Sequence, residues 1–257
     1  MSKEDCLGVY EDAVFYDLEF AERKQDLAFY LKWARPTEKG KVLELACGTG
    51  RIMIPLCLMG TEVIGLDLSL PMLEQAMKKS ESLRLSIEWA HQDAADFRLP
   101  SRFDRIFMAT NALQHLVELP HLQSFFSSIH RHLNPNGLFI FDVFNPNLSK
   151  LLRKPDERYL HKTFKDLENR QIRVEACSEY DPVRQIFSFE LFYLEPGGEC
   201  FKTKRVKMRC FFPQELSLLC RSNGLEIVHQ FGDYDESPFR AGSPKQIIVC
   251  RPVSGRE

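Results

Sequence analysis

A glycine-rich loop with an acidic residue following it in the chain is the clearest candidate for chemistry in this sequence. Gly48 and Gly50 follow the apolar run Lys41–Ala46, and Asp67 closes the next apolar run. Glycine lets the backbone turn sharply and approach a ligand closely, and a helix that begins after it presents unpaired N–H groups. A carboxylate such as Asp67 can accept hydrogen bonds from both hydroxyls of a ribose. The pattern predicts a site for a ribose-containing cofactor.

The glycine spacing separates two classes of such cofactors. A dinucleotide fold requires a third small residue, three positions after the second glycine, so that the helix packs closely on the strand. Met53 occupies that position, which argues against a pyrophosphate site. Asp67 suits a dinucleotide and other ribose-containing cofactors equally, so it does not decide between them.

Strands and helices alternate along the first 145 residues. Apolar runs bounded by turn signals predict strands at Lys41–Ala46, Val63–Leu68, Leu85–His91, Phe103–Ala109 and Leu138–Phe144. Apolar residues at helical spacing predict helices at Arg51–Leu58, Pro71–Lys79 and His121–Leu133. This alternation is typical of a parallel, doubly wound sheet, on which ligands bind at the carboxyl ends of the strands. The glycine loop follows the first strand, at that edge.

The chain after residue 150 has a different pattern. Its β-like runs, separated by turn residues, predict an antiparallel meander with strands at Ile172–Cys177, Ile186–Leu194 and Phe201–Phe212. A helix at Pro213–Ser222 and strands at Leu225–Phe231 and Gln246–Arg251 follow. We therefore predict a core domain formed by residues 1–149 and 213–257, and a β insertion at 150–212 that covers the substrate.

Two further local features are predicted from the first half of the chain. Residues 13–34 carry apolar positions at helical spacing. Asn134–Gly137 has the composition of a tight turn before the fifth strand.

Residues 41–144 resemble the core of class I methyltransferases, which bind S-adenosylmethionine (SAM). Five motifs of that family occur in order: Glu44–Gly50, Asp67, His91–Phe97, Phe103–Asn111 and Leu133–Leu138. The resemblance implies an α/β fold with a Rossmann-like, doubly wound sheet of seven strands, in which strands 6 and 7 form an antiparallel pair. It also implies that the chain is a SAM-dependent methyltransferase with SAM as its cofactor.

The resemblance also implies roles for single residues in the cofactor site. The loop residues would pass beside the methionine and ribose parts of SAM; these are Glu44, Ala46, Cys47, Gly48 and Gly50. Asp67 would bind the ribose hydroxyls. Leu68 and Met72 would flank the adenine, and Asp93 and the Ala94 N–H would lie at its edge. Thr110 would lie near the methionine amino group, and Tyr16 would close over the cofactor.

Arg51 is a further candidate cofactor residue, and it, Glu44 and Cys47 each have alternative interpretations. Arg51 would either pair with the methionine carboxylate or point into solvent. Glu44 would either contact the cofactor or only fix the glycine loop. Cys47 fits a packing residue better than a nucleophile.

Methyl transfer from a sulfonium is an in-line displacement whose leaving group is already activated by its charge. The protein therefore mainly orients the acceptor and excludes water. A general base helps only when the acceptor atom carries a proton with a high pKa. His115 is the candidate base, because imidazole titrates near neutral pH, and Asn111 is a second candidate in the acceptor pocket. His115 could instead be a structural histidine.

The sequence does not determine the identity of the methyl acceptor. A β insertion after strand 5 covers the active site in small-molecule members of the family, so we predict transfer to N or O of a small-molecule acceptor. An RNA- or protein-modifying methyltransferase and a non-catalytic SAM-binding protein are the alternatives. The basic segment Lys202–Arg209 fits an anionic acceptor or an edge strand protected by charge.

The composition limits the kinds of binding partner and the cellular location that we expect for this protein. The net charge of -2 gives no drive towards nucleic acid or anionic membranes. We expect no membrane span, because no apolar run is long enough, and no signal peptide, because Met1–Asp5 is polar and charged. The eight cysteines, Cys6 among them, are scattered without metal-site spacing. We therefore expect reduced thiols, no metal site and a cytoplasmic protein. The oligomeric state stays open, with a homodimer among the states allowed.

Overall fold

The computed structural model describes residues 8–35 and 40–253, and these residues form two sheets with helices around them. The strands are β1 (Lys41–Leu45), β2 (Glu62–Asp67), β3 (Glu88–His91), β4 (Phe103–Met108), β5 (Leu133–Phe144), β6 (Tyr159–Lys165), β7 (Gln171–Asp181), β8 (Ile186–Leu194), β9 (Cys200–Arg209), β10 (Leu225–Phe231) and β11 (Lys245–Pro252). The α-helices are α1 (Ala13–Glu19), α2 (Gln25–Trp33), α3 (Met53–Leu58), α4 (Leu70–Ser82), α5 (Leu119–His132), α6 (Leu148–Leu151) and α7 (Pro213–Ser222). The expectations for Met1–Asp5 and Cys6 lie outside the described residues.

The larger sheet has seven strands in the order β10-β11-β5-β4-β1-β2-β3. The neighbouring strands among β1–β5 run parallel, whereas β11 is antiparallel to both β5 and β10. This confirms the predicted doubly wound sheet with an antiparallel final pair. The strand order reverses between β1 and β4, so the carboxyl ends of these two strands border the crevice in which such folds bind ligands.

Both faces of the seven-stranded sheet are covered, which is why its strands read as nearly continuous apolar runs. Side chains alternate between the faces: Val42 belongs to the cluster that includes residues of α2 and α3, while Leu43 belongs to the cluster that includes residues of α5 and α7. Phe107 and Ile140 share the first face, and their chain neighbours share the second. The sheet therefore forms a rigid base, from which the loops at the carboxyl ends of its strands project.

The smaller sheet contains β6–β9, all antiparallel, in the order in which they occur in the chain. Phe164, Ile172, Val174 and Tyr193 form a cluster on one face, against which Phe15 of α1 packs. The sequence predicts β7, β8 and β9 here, but it does not single out β6. That strand is a mostly exposed edge, so it lacks the apolar alternation by which strands are recognised. The boundaries of the insertion, 150 and 212, stay a prediction.

The stretch 13–34, predicted to have helical spacing, forms two helices, α1 and α2: α1 packs near the smaller sheet and α2 on the larger one. The second local feature differs from the expectation. Asn134–Gly137 is not a separate turn before β5. The strand begins at Leu133, and the pairing with β4 jumps from Phe103–Leu133 to Arg105–Leu138, so these four residues bulge out of the ladder.

Across the described ranges, no helix is both long and apolar enough to cross a membrane. Those ranges also bring together no group of three or more His, Cys, Asp or Glu side chains suited to a metal ion.

Candidate active site

A cavity of about 720 Å³ lies between the carboxyl ends of the parallel strands and the smaller sheet. The strand-end residues Ala46, Asp67 and Thr110 line one side, and Phe189, Leu191 and Val206 of the smaller sheet line the other. Helix α1 and the segment after it contribute Tyr16 and Phe20. Two ligands could therefore lie side by side in one enclosure, one on the glycine loop and one on the smaller sheet.

The glycine loop turns through left-handed backbone conformations. Ala46, Gly48 and Gly50 have φ values of 54°, 56° and 78°. A Cβ at Gly48 would meet no heavy atom within 4 Å, so this glycine faces open space and lines the cavity. A Cβ at Gly50 would lie 2.8 Å from the Trp89 ring, so Gly50 serves close packing instead. Cys47 is buried in the core, and burial raises the pKa of its thiol.

Asp67 is held in place by the backbone on both sides of it. Its Oδ2 accepts from the Gly48 N–H at 2.7 Å and its Oδ1 from the Ser69 N–H at 2.8 Å. Burial raises the pKa of Asp67, and these backbone donors oppose that rise. Each oxygen keeps a further lone pair, so the carboxylate can still accept from a ligand in the cavity that it lines.

Four predicted cofactor residues do not line this cavity: Cys47 and Gly50, described above, and Glu44 and Arg51. Glu44 is buried behind the loop; its Oε2 has no hydrogen-bond partner among the described residues, and burial raises its pKa well above the usual value. Arg51 points neither into solvent nor into the cavity. Its guanidinium holds Asp26 with two hydrogen bonds of 2.8 and 2.5 Å, so it ties the start of α2 to the glycine loop. A buried carboxylate of the chain itself is thus the partner of Arg51, and a contact with the methionine carboxylate stays a prediction.

The residues predicted at the adenine all line the cavity: Leu68, Met72, Asp93 and Ala94. Asp93 precedes a short 3₁₀ turn, Ala94–Asp96, and its Oδ1 accepts from the Ala95 N–H at 2.8 Å. Tyr16 lines the same cavity, and burial raises the pKa of its phenol to about 12. Tyr16 is therefore an uncharged hydroxyl at neutral pH.

Thr110 and Asn111, beyond the end of β4, both adopt left-handed conformations, with φ of 60° and 63°. Such conformations are strained for residues other than glycine, and the buried carboxylate of Asp142 on β5 stabilises them. It accepts from the Thr110 N–H at 2.7 Å and from the Asn111 N–H at 3.1 Å. Lys245 on β11 donates to Asp142 at 2.6 Å and to the Asn111 side-chain oxygen at 2.9 Å, and the Tyr30 hydroxyl donates to Asp142 at 2.6 Å.

The sequence reasoning missed Asp142, Lys245 and Tyr30. One signal was available for Asp142, which is a single charged residue in the apolar run Phe139–Phe144. A charge inside a strand buried on both faces must find a partner.

His115 lines the cavity, and its Nε2 lies 3.0 Å from the hydroxyl of Tyr10, a further residue that the sequence reasoning missed. The two rings also meet edge to face, with centroids 5.8 Å apart. Burial lowers the pKa of His115 to about 4. The imidazole is therefore neutral at physiological pH.

We expect the His115 imidazole to titrate with a midpoint of about 4 rather than near the ordinary 6.5, because burial disfavours the charged ring. Imidazole ¹⁵N chemical shifts followed from pH 3 to 8 measure this midpoint, and the spectrum of His115→Asn assigns the signal. Between pH 6.5 and 4 the unfolded chain binds the extra proton, so this histidine lowers the stability of the fold as the pH falls through that window. A midpoint near 6.5 would show that the ring is hydrated.

Known proteins are similar to this chain in both sequence and fold. Residues 42–137 match the family model of the methyltransferase domain. The chain is 37% identical over 117 residues to YqeM of Bacillus subtilis (strain 168), a methyltransferase by name, and the match covers 44% of this chain and 47% of YqeM. It is 27% identical over 216 residues to the cypemycin N-terminal methyltransferase of a Streptomyces species, covering 84% of each. The chain thus spans about half the length of YqeM and most of the cypemycin enzyme.

Similarity to a solved structure extends over nearly the whole chain. The CcbJ methyltransferase from Streptomyces caelestis has a TM-score of 0.76 and 25% identity, covering 95% of this chain and 100% of that one. The matched domain, these relatives and the sheet topology agree with one another. Residues 42–137 are therefore similar to a methyltransferase domain, and the chain shares its fold with a solved methyltransferase.

Proposed function

We propose that this chain transfers a methyl group from SAM to an amine or hydroxyl of a small molecule held against the smaller sheet. The shared cavity carries this proposal: one enclosure is lined by Gly48 and Asp67 on one side and by His115 and the smaller sheet on another. A transfer reaction requires donor and acceptor in contact, away from water.

The residues in the cavity suit SAM. Asp67 offers carboxylate lone pairs for the ribose hydroxyls, Leu68 and Met72 offer apolar surface for the adenine, and Asp93 offers an acceptor for its amino group. The open space at Gly48 lets a ligand approach the backbone closely. Thr110, fixed by Asp142, lines the cavity near the expected methionine end. When bound, SAM supplies a methyl group on a positively charged sulfur.

His115 is better suited to position the acceptor than to remove a proton from it. An amine with an ordinary pKa near 10 would lie about six pKa units above this imidazole, which corresponds to roughly 8 kcal/mol for the proton transfer. A neutral His115 can instead accept a hydrogen bond from Tyr10 and so orient the phenol that lines the cavity. The acceptor amine would then lose its proton before it binds.

Amines are the preferred acceptor class. The relative that matches over most of both chains is named an N-terminal methyltransferase, so its acceptor is an amine. Transfer to a hydroxyl is the second candidate within the same site. The Tyr10–His115 pair lies at the cavity and offers a hydrogen-bonding partner to either group.

The test combines cofactor binding with a search for the acceptor. Calorimetry should show that SAM and its demethylated product bind the purified chain. Methyl-labelled SAM, incubated with the chain and with pools of metabolites and short peptides, should transfer label to an amine. Binding without transfer to any pool would favour a non-catalytic SAM-binding protein. Failure to bind SAM would contradict the proposal as a whole.

A further inference from the structure

A buried cluster of charges forms part of the cavity wall opposite the glycine loop. Glu19 ends α1, and its side chain is nearly inaccessible to solvent. Its Oε1 accepts from Lys162 at 2.8 Å and from the Tyr193 hydroxyl at 2.9 Å, and its Oε2 accepts from Lys204 at 3.1 Å. All four residues line the cavity.

The two lysines come from opposite edges of the smaller sheet, since Lys162 is on β6 and Lys204 on β9. Neighbouring strands lie about 4.8 Å apart, so these edges would be about 14 Å apart in a flat sheet. Both ammonium groups nevertheless reach one carboxylate. The long side chains therefore converge over the face of the sheet that carries Tyr193, and they direct their charge into the cavity.

Edge protection alone leaves the ion pair of Lys204 with Glu19 unexplained. On the same strand Arg205 is exposed and already places a charge on the solvent side of the edge. Lys204 is only 7% exposed and points inward. Its alternation with Arg205 is the ordinary pleat of a strand with one face buried.

The cluster carries more positive than negative charge. Two ammonium groups share the one carboxylate of Glu19. Three exposed charged residues, Glu22, Arg23 and Lys165, also line the cavity, and water screens their charges. Lys202 and Asp12 nearby pair with each other and cancel. Burial lowers the pKa of Lys162 and of Lys204 while Glu19 opposes the fall, and burial raises the pKa of Glu19 while the lysines more than offset it. A surplus cation away from water is costly unless an anion compensates it.

We propose that the methyl acceptor carries an anionic group, a carboxylate or a phosphate, that binds the ammonium groups of Lys162 and Lys204. This inference rests on the proposed function only in calling the ligand the methyl acceptor, because the anion site itself is a feature of the cavity. An ammonium has three donors, so each lysine can hold Glu19 and an anion together. The surrounding apolar residues, Phe164, Leu191 and Val206, would contact the rest of the acceptor.

The test measures anion binding to the chain saturated with S-adenosylhomocysteine, the demethylated product of SAM. Inorganic phosphate, pyrophosphate and butyrate serve as separate probes, and the ¹³Cε signals of the lysines report binding. At least one probe should bind at millimolar concentration. The class of probe that binds more tightly identifies the anionic group of the acceptor as a phosphate or a carboxylate. Lys162→Met and Lys204→Met should each weaken binding about tenfold or more, because each removes a charge-assisted hydrogen bond. Lys204→Arg should retain binding.

A substitution that removes the negative charge of the cluster distinguishes a role of the cluster in anion binding from a purely structural role. Glu19→Gln removes the competing negative charge, so it should tighten anion binding severalfold, whereas damage to the fold would weaken it. Lys202→Met removes a positive charge two residues from Lys204 but outside the cavity lining, and it should change binding less than twofold. In each of these variants the affinity for S-adenosylhomocysteine should stay unchanged.

Three results would overturn the anion site. These are no binding of any probe to the wild-type chain, unchanged binding in both lysine variants, and weakened binding in Glu19→Gln. None of them affects the proposed methyl transfer, which fails only if SAM does not bind or transfers no label. If Lys162 or Lys204 is uncharged in the wild-type chain, no probe will bind.

Discussion

Replacing Asp67 with alanine should weaken SAM binding about 100-fold, as measured by calorimetry. Two hydrogen bonds from ribose hydroxyls to a carboxylate contribute about 1.5 kcal/mol each, and 1.4 kcal/mol corresponds to a factor of ten in affinity. The substitution also releases the Gly48 and Ser69 N–H groups that Asp67 now accepts from. The glycine loop would then lose the anchor that fixes its shape.

Two further variants make this result specific. Asp67→Asn keeps the shape of the side chain, but its NH₂ group would face one of the two backbone N–H donors, so a large loss is expected here too. Asp96→Ala removes an exposed carboxylate close to the adenine side of the site but outside the cavity lining, and it should leave the affinity unchanged. A folded Asp67→Ala chain that binds SAM within threefold of wild type would exclude Asp67 from the ribose site.

The parts of the site that are local in the chain could be predicted from the sequence. Gly48 lies in the loop after β1, and Asp67 is the last residue of β2; the two strands pair in parallel, so the topology alone brings these residues together. The same reasoning covers Asp93 and Thr110, which follow β3 and β4. Residue type and strand order were enough for these positions, because the family pattern depends on them.

The parts that depend on tertiary register could not be predicted. Lys245 and Asp142 are 103 positions apart, and they meet because β11 pairs with β5 in one particular register. Arg51 precedes α3 in the chain, and only the packing of α2 reveals that Asp26 is its partner. The charges around Glu19 require both edges of the smaller sheet to converge, which no spacing in the sequence indicates.

Replacing Asp142 with asparagine should lower the free energy of unfolding by about 3 kcal/mol or more, as measured by urea denaturation. Asp142 is fully buried and accepts from Tyr30, Lys245 and two backbone N–H groups. Removing one partner of a buried ion pair costs about 3–5 kcal/mol, because the other charge is left uncompensated. Asp156→Asn, at an exposed position, should leave the free energy of unfolding within about 0.5 kcal/mol of wild type.

A second substitution distinguishes the uncompensated charge from lost packing. Lys245→Met alone should also destabilise the chain, because Asp142 stays buried and charged. The double variant Asp142→Asn with Lys245→Met should be more stable than the sum of the two single changes predicts, since neither charge is then left alone. Strict additivity would show that the two side chains act independently, despite the 2.6 Å between them.

The pH dependence of stability follows from the same carboxylate. Burial alone would raise the pKa of Asp142, but Lys245 and the hydrogen bonds more than offset this, so its pKa in the folded chain lies below the usual value. A carboxylate of this kind stabilises the fold at pH values above its unfolded pKa of about 3.9, and that contribution is lost as the pH falls through the lower folded pKa. The stability difference between wild type and Asp142→Asn should therefore be constant at neutral pH and shrink only below pH 4. Because the same carboxylate holds Thr110 and Asn111 in their left-handed conformations, cofactor binding should weaken over the same acid range.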